Sequence, residues 1–240
     1  RRAAALISLS SGRRFPIVEA MGRLRGRMWV HLMVFDLDGT LADTGADLAD
    51  SVNRTLRSMG IPGRPQPEIL RFVGDGVRKL LERSLGDRHR DRLDEALARF
   101  KGIYAEHLLD RTVLYPGVAD ILRLFADKAK VIITNKNTDF TLALCRGLGI
   151  ESCFREIIGG DSTAFMKPDP RVLLPLLDRY GAKPEETLIV GDGVNDILLA
   201  RNAGVRCCAF LNGIGGREEL LGLKPDFAVE RIADLERIAC

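Results

Sequence analysis

Short apolar runs alternate with amphipathic helical stretches along most of this chain, and that alternation constrains its fold more than any other feature. The runs are "WVHLMVFD" (29–36), "KVIITN" (130–135), "FREIIGG" (154–160), "TLIVGD" (187–192), "VRCCAF" (205–210) and "DFAV" (226–229). Most are rich in Val, Ile, Phe and Leu, and several end in Gly, Asp or Asn, as parallel strands buried on both faces do. Between them, residues 117–128, 138–149, 170–181 and 195–204 carry apolar side chains three and four apart, and three of these four stretches end in Gly. Pro175 lies inside one and is expected to kink it or limit its first turn. The expected fold is therefore α/β: an open parallel Rossmann-like sheet with helices on both faces and right-handed crossovers.

One region breaks the alternation. Residues 46–112 read almost wholly as helix, interrupted by the turn-rich "MGIPGRPQPE" (59–68), and are too long for a crossover. They are expected to form an inserted α-helical cap on a core made of 29–45 and 113–240. The Arg-rich lead 1–28 is expected to stand outside the fold, either as sequence upstream of a start at Met28 or Met33 or as a targeting segment. It also distorts the charge balance. Residues 1–30 hold seven arginines and one acid, which leaves 29 basic and 32 acidic side chains in the rest. The body is thus mildly acidic, which argues against a nucleic-acid partner. No apolar run is long enough to span a bilayer. The five cysteines show no CxxC spacing, so free thiols in a cytoplasmic setting are expected, without a zinc site.

In open parallel sheets, ligands bind at the carboxyl ends of the strands. Those ends carry Asp36 and Asp38, then Thr134 and Asn135, then Asp192 with Asp196 in the following turn; Lys167 sits in the loop "AFMKPDP". Any one of these alone reads as a cap or a turn residue. Four loops delivering carboxylates, a hydroxyl and an ammonium to one sheet edge do not. Side chains two apart on an extended strand share a side, so Asp36 and Asp38 can act together. Like charges that close need a cation, and three carboxylates suit a hard ion such as Mg²⁺. An aspartate beside Mg²⁺ can attack phosphorus, and its neighbour two residues on can protonate the leaving alkoxide and later activate water. Thr134 and Lys167 would then bind the equatorial phosphoryl oxygens.

"DLDGT", "TN", "KPDP" and "GDGVND", in that order, resemble the four motifs of the haloacid-dehalogenase-like hydrolases, over residues 32 to about 230. The resemblance implies Asp36 as nucleophile and Asp38 as general acid/base, with the Asp38 backbone carbonyl on the metal. It further implies Thr134 and Lys167 as phosphate ligands, Asp192 as a metal ligand and Asp196 acting through water or Lys167. The dehalogenases themselves lack the second aspartate, because a halide leaves without a proton, so Asp38 argues for phosphoryl chemistry. The stretches "DLADSVNRTLRSMG", "FVGDGVRKLLERSLG", "LYPGV", "ITNK" and "IIGGD" resemble the phosphoglycolate phosphatase subgroup. That implies Mg²⁺-dependent hydrolysis of 2-phosphoglycolate through an aspartyl-phosphate, with Arg78 and Lys79 of the cap as candidates to meet the substrate carboxylate. Same-class alternatives are a phosphosugar phosphatase or mutase and an inorganic pyrophosphatase; a non-catalytic phospho-ligand binder is the alternative of another class. The expected partner is a small phosphorylated metabolite, with no membrane or nucleic acid, for a monomer or homodimer. A calcium loop starting at Asp36 is excluded by Leu41 where glycine is required, and no GxGxxG fingerprint follows the first strand.

Overall fold

A computed structural model describes residues 27–240; residues 1–26 of the Arg-rich lead lie outside the described residues. Met28, expected outside the fold, pairs with the C-terminal segment: its N–H donates to Ile238 O (2.7 Å) and its carbonyl accepts from Cys240 N (2.9 Å). In chain order the elements begin with β1 (Leu32–Phe35), β2 (Ala42–Asp43), α1 (Gly45–Ser58), α2 (Gln66–Leu70), α3 (Val77–Leu85), α4 (Leu93–His107) and β3 (Val113–Leu114). They continue with α5 (Val118–Leu124), β4 (Ala129–Ile133), α6 (Thr138–Gly147), β5 (Glu156–Ile158), α7 (Leu174–Tyr180), β6 (Thr187–Gly191), α8 (Val194–Ala203), β7 (Arg206–Phe210), α9 (Arg217–Gly222) and β8 (Phe227–Val229).

The six expected strands form one sheet of order β5-β4-β1-β6-β7-β8, with every neighbouring pair parallel. The chain moves outward from β1 through β4 to β5, then returns to the other side of β1 as β6. The reversal point therefore lies between β1 and β6, where a doubly wound sheet opens a crevice at its carboxyl edge. Alternation along β1 feeds two cores. Leu32 and Val34 pack with Ile189, Leu176, Ile197 and Leu220 on the face covered by α7, α8 and α9. Met33 and Phe35 pack with Ile132, Ile121, Leu122 and Leu144 on the face covered by α5 and α6. Each such side chain contributes about 1.5–3 kcal/mol by leaving water. Pro175 falls in the first turn of α7, after a short 3₁₀ turn at Pro170–Val172, so its ring meets no earlier helical carbonyl.

Between β2 and β3 the chain forms α1 to α4. β2 and β3 themselves pair antiparallel, Ala42 opposite Leu114 and Asp43 opposite Val113, and the sequence reading had no counterpart for this ribbon. Just beyond it, buried Asp47 ties the two ends together. One carboxylate oxygen accepts from the N–H groups of Arg111 (2.9 Å) and Thr112 (2.8 Å) and from the Thr112 hydroxyl (2.8 Å). The other accepts from Arg111 Nε (3.2 Å). No helix of the described residues is long and apolar enough to cross a membrane.

Candidate active site

Three central strands, β4, β1 and β6, and the loop after β5 bring the candidate residues to one edge of the sheet. The Asp36 N–H continues the ladder onto Val190 O (3.0 Å), which fixes where the chain leaves β1. Gly39 then turns the chain with φ +81°, and a Cβ there would collide with the Asp192 carboxylate, so glycine is required by both backbone and space.

Lys167 stands at the centre of the charges. Its buried Nζ donates to Asp196 (2.7 Å) and pairs with Asp36 (2.8 Å). Asp192 is also buried; it accepts from the Thr40 hydroxyl (2.6 Å) and from the N–H groups of Ile214 (2.8 Å) and Gly215 (3.1 Å). Asp196 accepts from Gly193 N–H (3.0 Å) at the start of α8. Burial, and then the charge of Asp36, push the Asp192 carboxyl up to about 7; burial also raises Asp196, to about 6, against the pull of Lys167. Burial opposes the Lys167 charge as well, yet Asp196 and Asp36 outweigh it and hold the ammonium well above the ordinary lysine value.

Oxygens of Asp36, Asp192 and Asp196 lie within 4.8 Å of one another. Such an all-oxygen, carboxylate set fits a hard divalent cation.

Thr134 is buried and borders the same recess as Asp36. Asn135 works through its amide: Oδ1 accepts from Lys167 N–H (2.9 Å), while Nδ2 donates to Lys167 O (3.0 Å) and to Gly74 O of the insert (2.9 Å). Asn195 makes a second tie to the insert, donating to Asp75 (2.8 Å) and Gly74 O (3.1 Å). Asp38 turns away from the acidic cluster. Its carboxylate accepts from the Thr44 hydroxyl (2.7 Å) and from Lys136 Nζ (3.1 and 3.2 Å).

Lys136 had no role in the sequence reading, nor did its further partner Tyr104 on α4 (2.7 Å). Asp38 and Tyr104 keep the buried Lys136 ammonium charged despite desolvation, and burial pushes the Tyr104 phenol up to about 12.

Arg78 and Lys79 are placed elsewhere. Leu80, Leu81 and Leu85 form the buried stripe of α3, so the two cations face outward and pair with Asp94 (3.0 Å) and Glu82 (2.8 Å). The insert cations that border the cleft beside Asp36 and Lys167 are Arg71, just after α2, and Arg83. Arg83 pairs with Asp75 (2.5 Å), whereas Arg71 makes no ion pair among the described residues. The leucine stripe of α3 was the signal that would have turned Arg78 and Lys79 outward; Arg71 follows a five-residue helix too short to show a face.

Comparison with known proteins agrees with this geometry. The family model for haloacid dehalogenase-like hydrolases matches residues 33–210. Phosphoglycolate phosphatase 1 of Pseudomonas aeruginosa is 38% identical over 213 residues, covering 85% of this chain and 78% of its own. The Chromobacterium violaceum phosphoglycolate phosphatase is 36% identical, covering 86% and 95%. Among solved structures, a predicted phosphoglycolate phosphatase from Haemophilus somnus superposes with a TM-score of 0.82 at 28% identity, over 86% of this chain and 96% of that one. CbbY from Rhodobacter sphaeroides, solved in complex with phosphate, superposes at 0.67 with 26% identity, over 86% and 96%. With its motifs at the ends of β1, β4 and β6 and in the loop after β5, and a family model matching residues 33–210, the chain belongs to the haloacid dehalogenase-like hydrolases.

Proposed function

We propose that this protein is a Mg²⁺-dependent phosphatase of small phosphomonoesters, with 2-phosphoglycolate as its substrate and a phospho-aspartate on Asp36 as intermediate. The observation that carries the reading is the buried Lys167 ammonium gripped between Asp36 and Asp196 at the reversal point of the sheet. A fixed cation beside a nucleophilic carboxylate is what phosphoryl transfer needs from its site.

Asp36, Asp192 and the Asp38 backbone carbonyl would hold the magnesium ion, which would supply the positive charge that lets a carboxylate approach a phosphate dianion. Asp36 attacks phosphorus in line with the departing alkoxide. Lys167 and the Thr134 hydroxyl hold the equatorial oxygens, and Asn135 fixes the Lys167 loop by its paired backbone bonds. Asp38 gives its proton to the alkoxide, then takes one from the water that hydrolyses the acyl phosphate. Asp196 keeps Lys167 in place. The substrate reading rests on the names of the relatives and on Arg71, whose cation borders the cleft, makes no ion pair among the described residues, and suits a carboxylate at the far end of a short phosphomonoester. A cytoplasmic site of action suits the five free cysteines.

The test is phosphate release from 2-phosphoglycolate, hexose phosphates, pyrophosphate and nucleotides, with Mg²⁺ and with EDTA. The highest kcat/KM is expected on 2-phosphoglycolate, with Asp36→Asn slower by about 10³-fold or more. Full Mg²⁺-dependent turnover in Asp36→Asn would remove the nucleophile assignment, and a preference for pyrophosphate or hexose phosphates would remove the substrate.

A further inference from the structure

Lys136 is a buried ammonium that the phosphoryl chemistry above does not use. Its side chain is 5% exposed, and burying a charge costs several kcal/mol unless partners repay it. An apolar side chain of similar length would fill the same space more cheaply, so the partners matter. Lys136 leaves the end of β4 and donates to both oxygens of Asp38, on the loop after β1 (3.1 and 3.2 Å), and to Tyr104 Oη on α4 (2.7 Å). The ammonium also lies 4.5 Å from the centre of the Tyr104 ring, within cation–π range. Tyr104 is itself fixed, stacked on Phe100 (5.2 Å between centroids) and edge-on to Phe140 (5.0 Å).

We propose that Lys136, seated by Tyr104, is the positioning residue that aims the Asp38 carboxylate at the leaving oxygen. The Lys136 ammonium, nearly equidistant from the two oxygens, holds the head of the carboxylate in place, and the Thr44 contact on one oxygen then sets its rotation, so that removing Lys136 frees the position of the group. An acid that delivers a proton to a departing alkoxide must hold that position to within a fraction of an ångström of the oxygen. The inference rests on the phosphatase reading of Asp36 and Asp38, but not on the identity of the substrate.

The leaving group supplies the test. Departure of an alkoxide needs a proton, whereas p-nitrophenolate leaves without one. kcat/KM covers only the steps up to that departure, so it isolates the acid role of Asp38. Lys136→Met is expected to lower kcat/KM about 10²-fold on 2-phosphoglycolate and on ethyl phosphate, and less than about threefold on p-nitrophenyl phosphate. Tyr104→Phe, which removes only the hydroxyl and preserves the aromatic stack, should shift the same ratio in the same direction by about three- to tenfold, and serves where Lys136→Met folds poorly.

Equal losses on alkyl and aryl substrates would make Lys136 a purely structural group and overturn the proposal. A loss confined to 2-phosphoglycolate, with ethyl phosphate spared, would overturn it in favour of direct carboxylate recognition. Wild-type protein without any Mg²⁺-dependent phosphatase activity would instead sink the underlying reading of Asp36 and Asp38.

Discussion

Asp47 offers a sharp test of how the two ends of the helical insert are held together. Replacing it with Ala orphans the Thr112 N–H, which is buried, and the Arg111 N–H, which is partly so. The Thr112 hydroxyl can turn to another acceptor, and the largely exposed Arg111 guanidinium can return to water. Hydrogen bonds to a charged acceptor contribute about 1.5–3 kcal/mol each, and a stranded buried N–H costs about 1–3. One full and one partial loss amount to about 3–4 kcal/mol, or on the order of 10 °C in Tm for a chain of this size. Asn keeps the shape and one acceptor oxygen for the two N–H groups, so it should cost about 1–2 kcal/mol.

Urea unfolding followed by circular dichroism is the assay, because the single tryptophan, Trp29, is exposed and reports little on this region. The pH dependence adds a signature. The N–H groups of Arg111 and Thr112 hold the Asp47 carboxyl below its ordinary value of 3.8 in spite of burial. Its folded pKa is depressed, so its contribution is complete above pH 3.8 and is lost as pH falls through the lower folded value. The gap between wild type and Asp47→Asn should therefore be flat from pH 8 to about 5 and close only below about 4. An Ala variant within about 1 kcal/mol of wild type, or a gap that closes near neutral pH, would refute the reasoning.

Two further outcomes follow from the carboxylate cluster. In EDTA, Asp192 is raised from 3.8 to about 7, so between those values the folded state binds a proton that the unfolded chain has lost; stability should fall with rising pH there, by about 4 kcal/mol from this group. Asp192→Asn should remove that part of the slope in urea titrations between pH 5 and 8, and an unchanged slope would show that the cluster carries no such strain. Gly39→Ala forces a Cβ into Asp192 at a positive φ, so it should cost at least about 1–2 kcal/mol and most of the phosphatase activity; a variant with wild-type Tm and kcat would contradict the packing described at that turn.

The sheet was legible because parallel strands buried on both faces leave a strong trace. Val131-Ile132-Ile133 and Leu188-Ile189-Val190 are continuous apolar runs; the first stops at Thr134 and the second, after Gly191, at Asp192, both of which border the candidate site. The carboxylates, Thr134 and Lys167 could be read for the same reason: their position follows from topology once the strands are known. The ribbon of β2 and β3 could not be read, since two residues per strand have no period. Tyr104 follows Ala96 and Phe100 at intervals of four on α4, a pattern that announces core and says nothing of where the hydroxyl ends up. Lys136 directly follows the Thr134–Asn135 pair, and nothing in its sequence context assigns it a role. Its role depends on a partner 32 residues away on the insert, and such pairings exist only after the insert has docked. The break inside the helical insert could not be read either: α4 begins at Leu93, after a 3₁₀ turn over Asp87–Arg92 with His89 out of helical geometry.

The short ribbon has a consequence for how such a protein can change. β2 and β3 bring the two ends of the insert onto neighbouring strands, about 5 Å apart. Whatever lies between Asp43 and Val113 has only to start and finish side by side. Its length is nearly free, because lengthening a connection between fixed ends adds little entropic cost. Sheet order, and with it the placement of Asp36, Thr134, Lys167 and Asp192, does not depend on what is spliced there. The insert is an exchangeable cassette. Its remaining obligations to the core are a few polar seats, where Tyr104 meets Lys136 and Gly74 meets Asn135 and Asn195, and an apolar contact, where Tyr104 packs on Phe140. Altering that one contiguous stretch of chain reshapes the wall of the cleft that Arg71 and Arg83 border, while the residues at the sheet edge stay as they were.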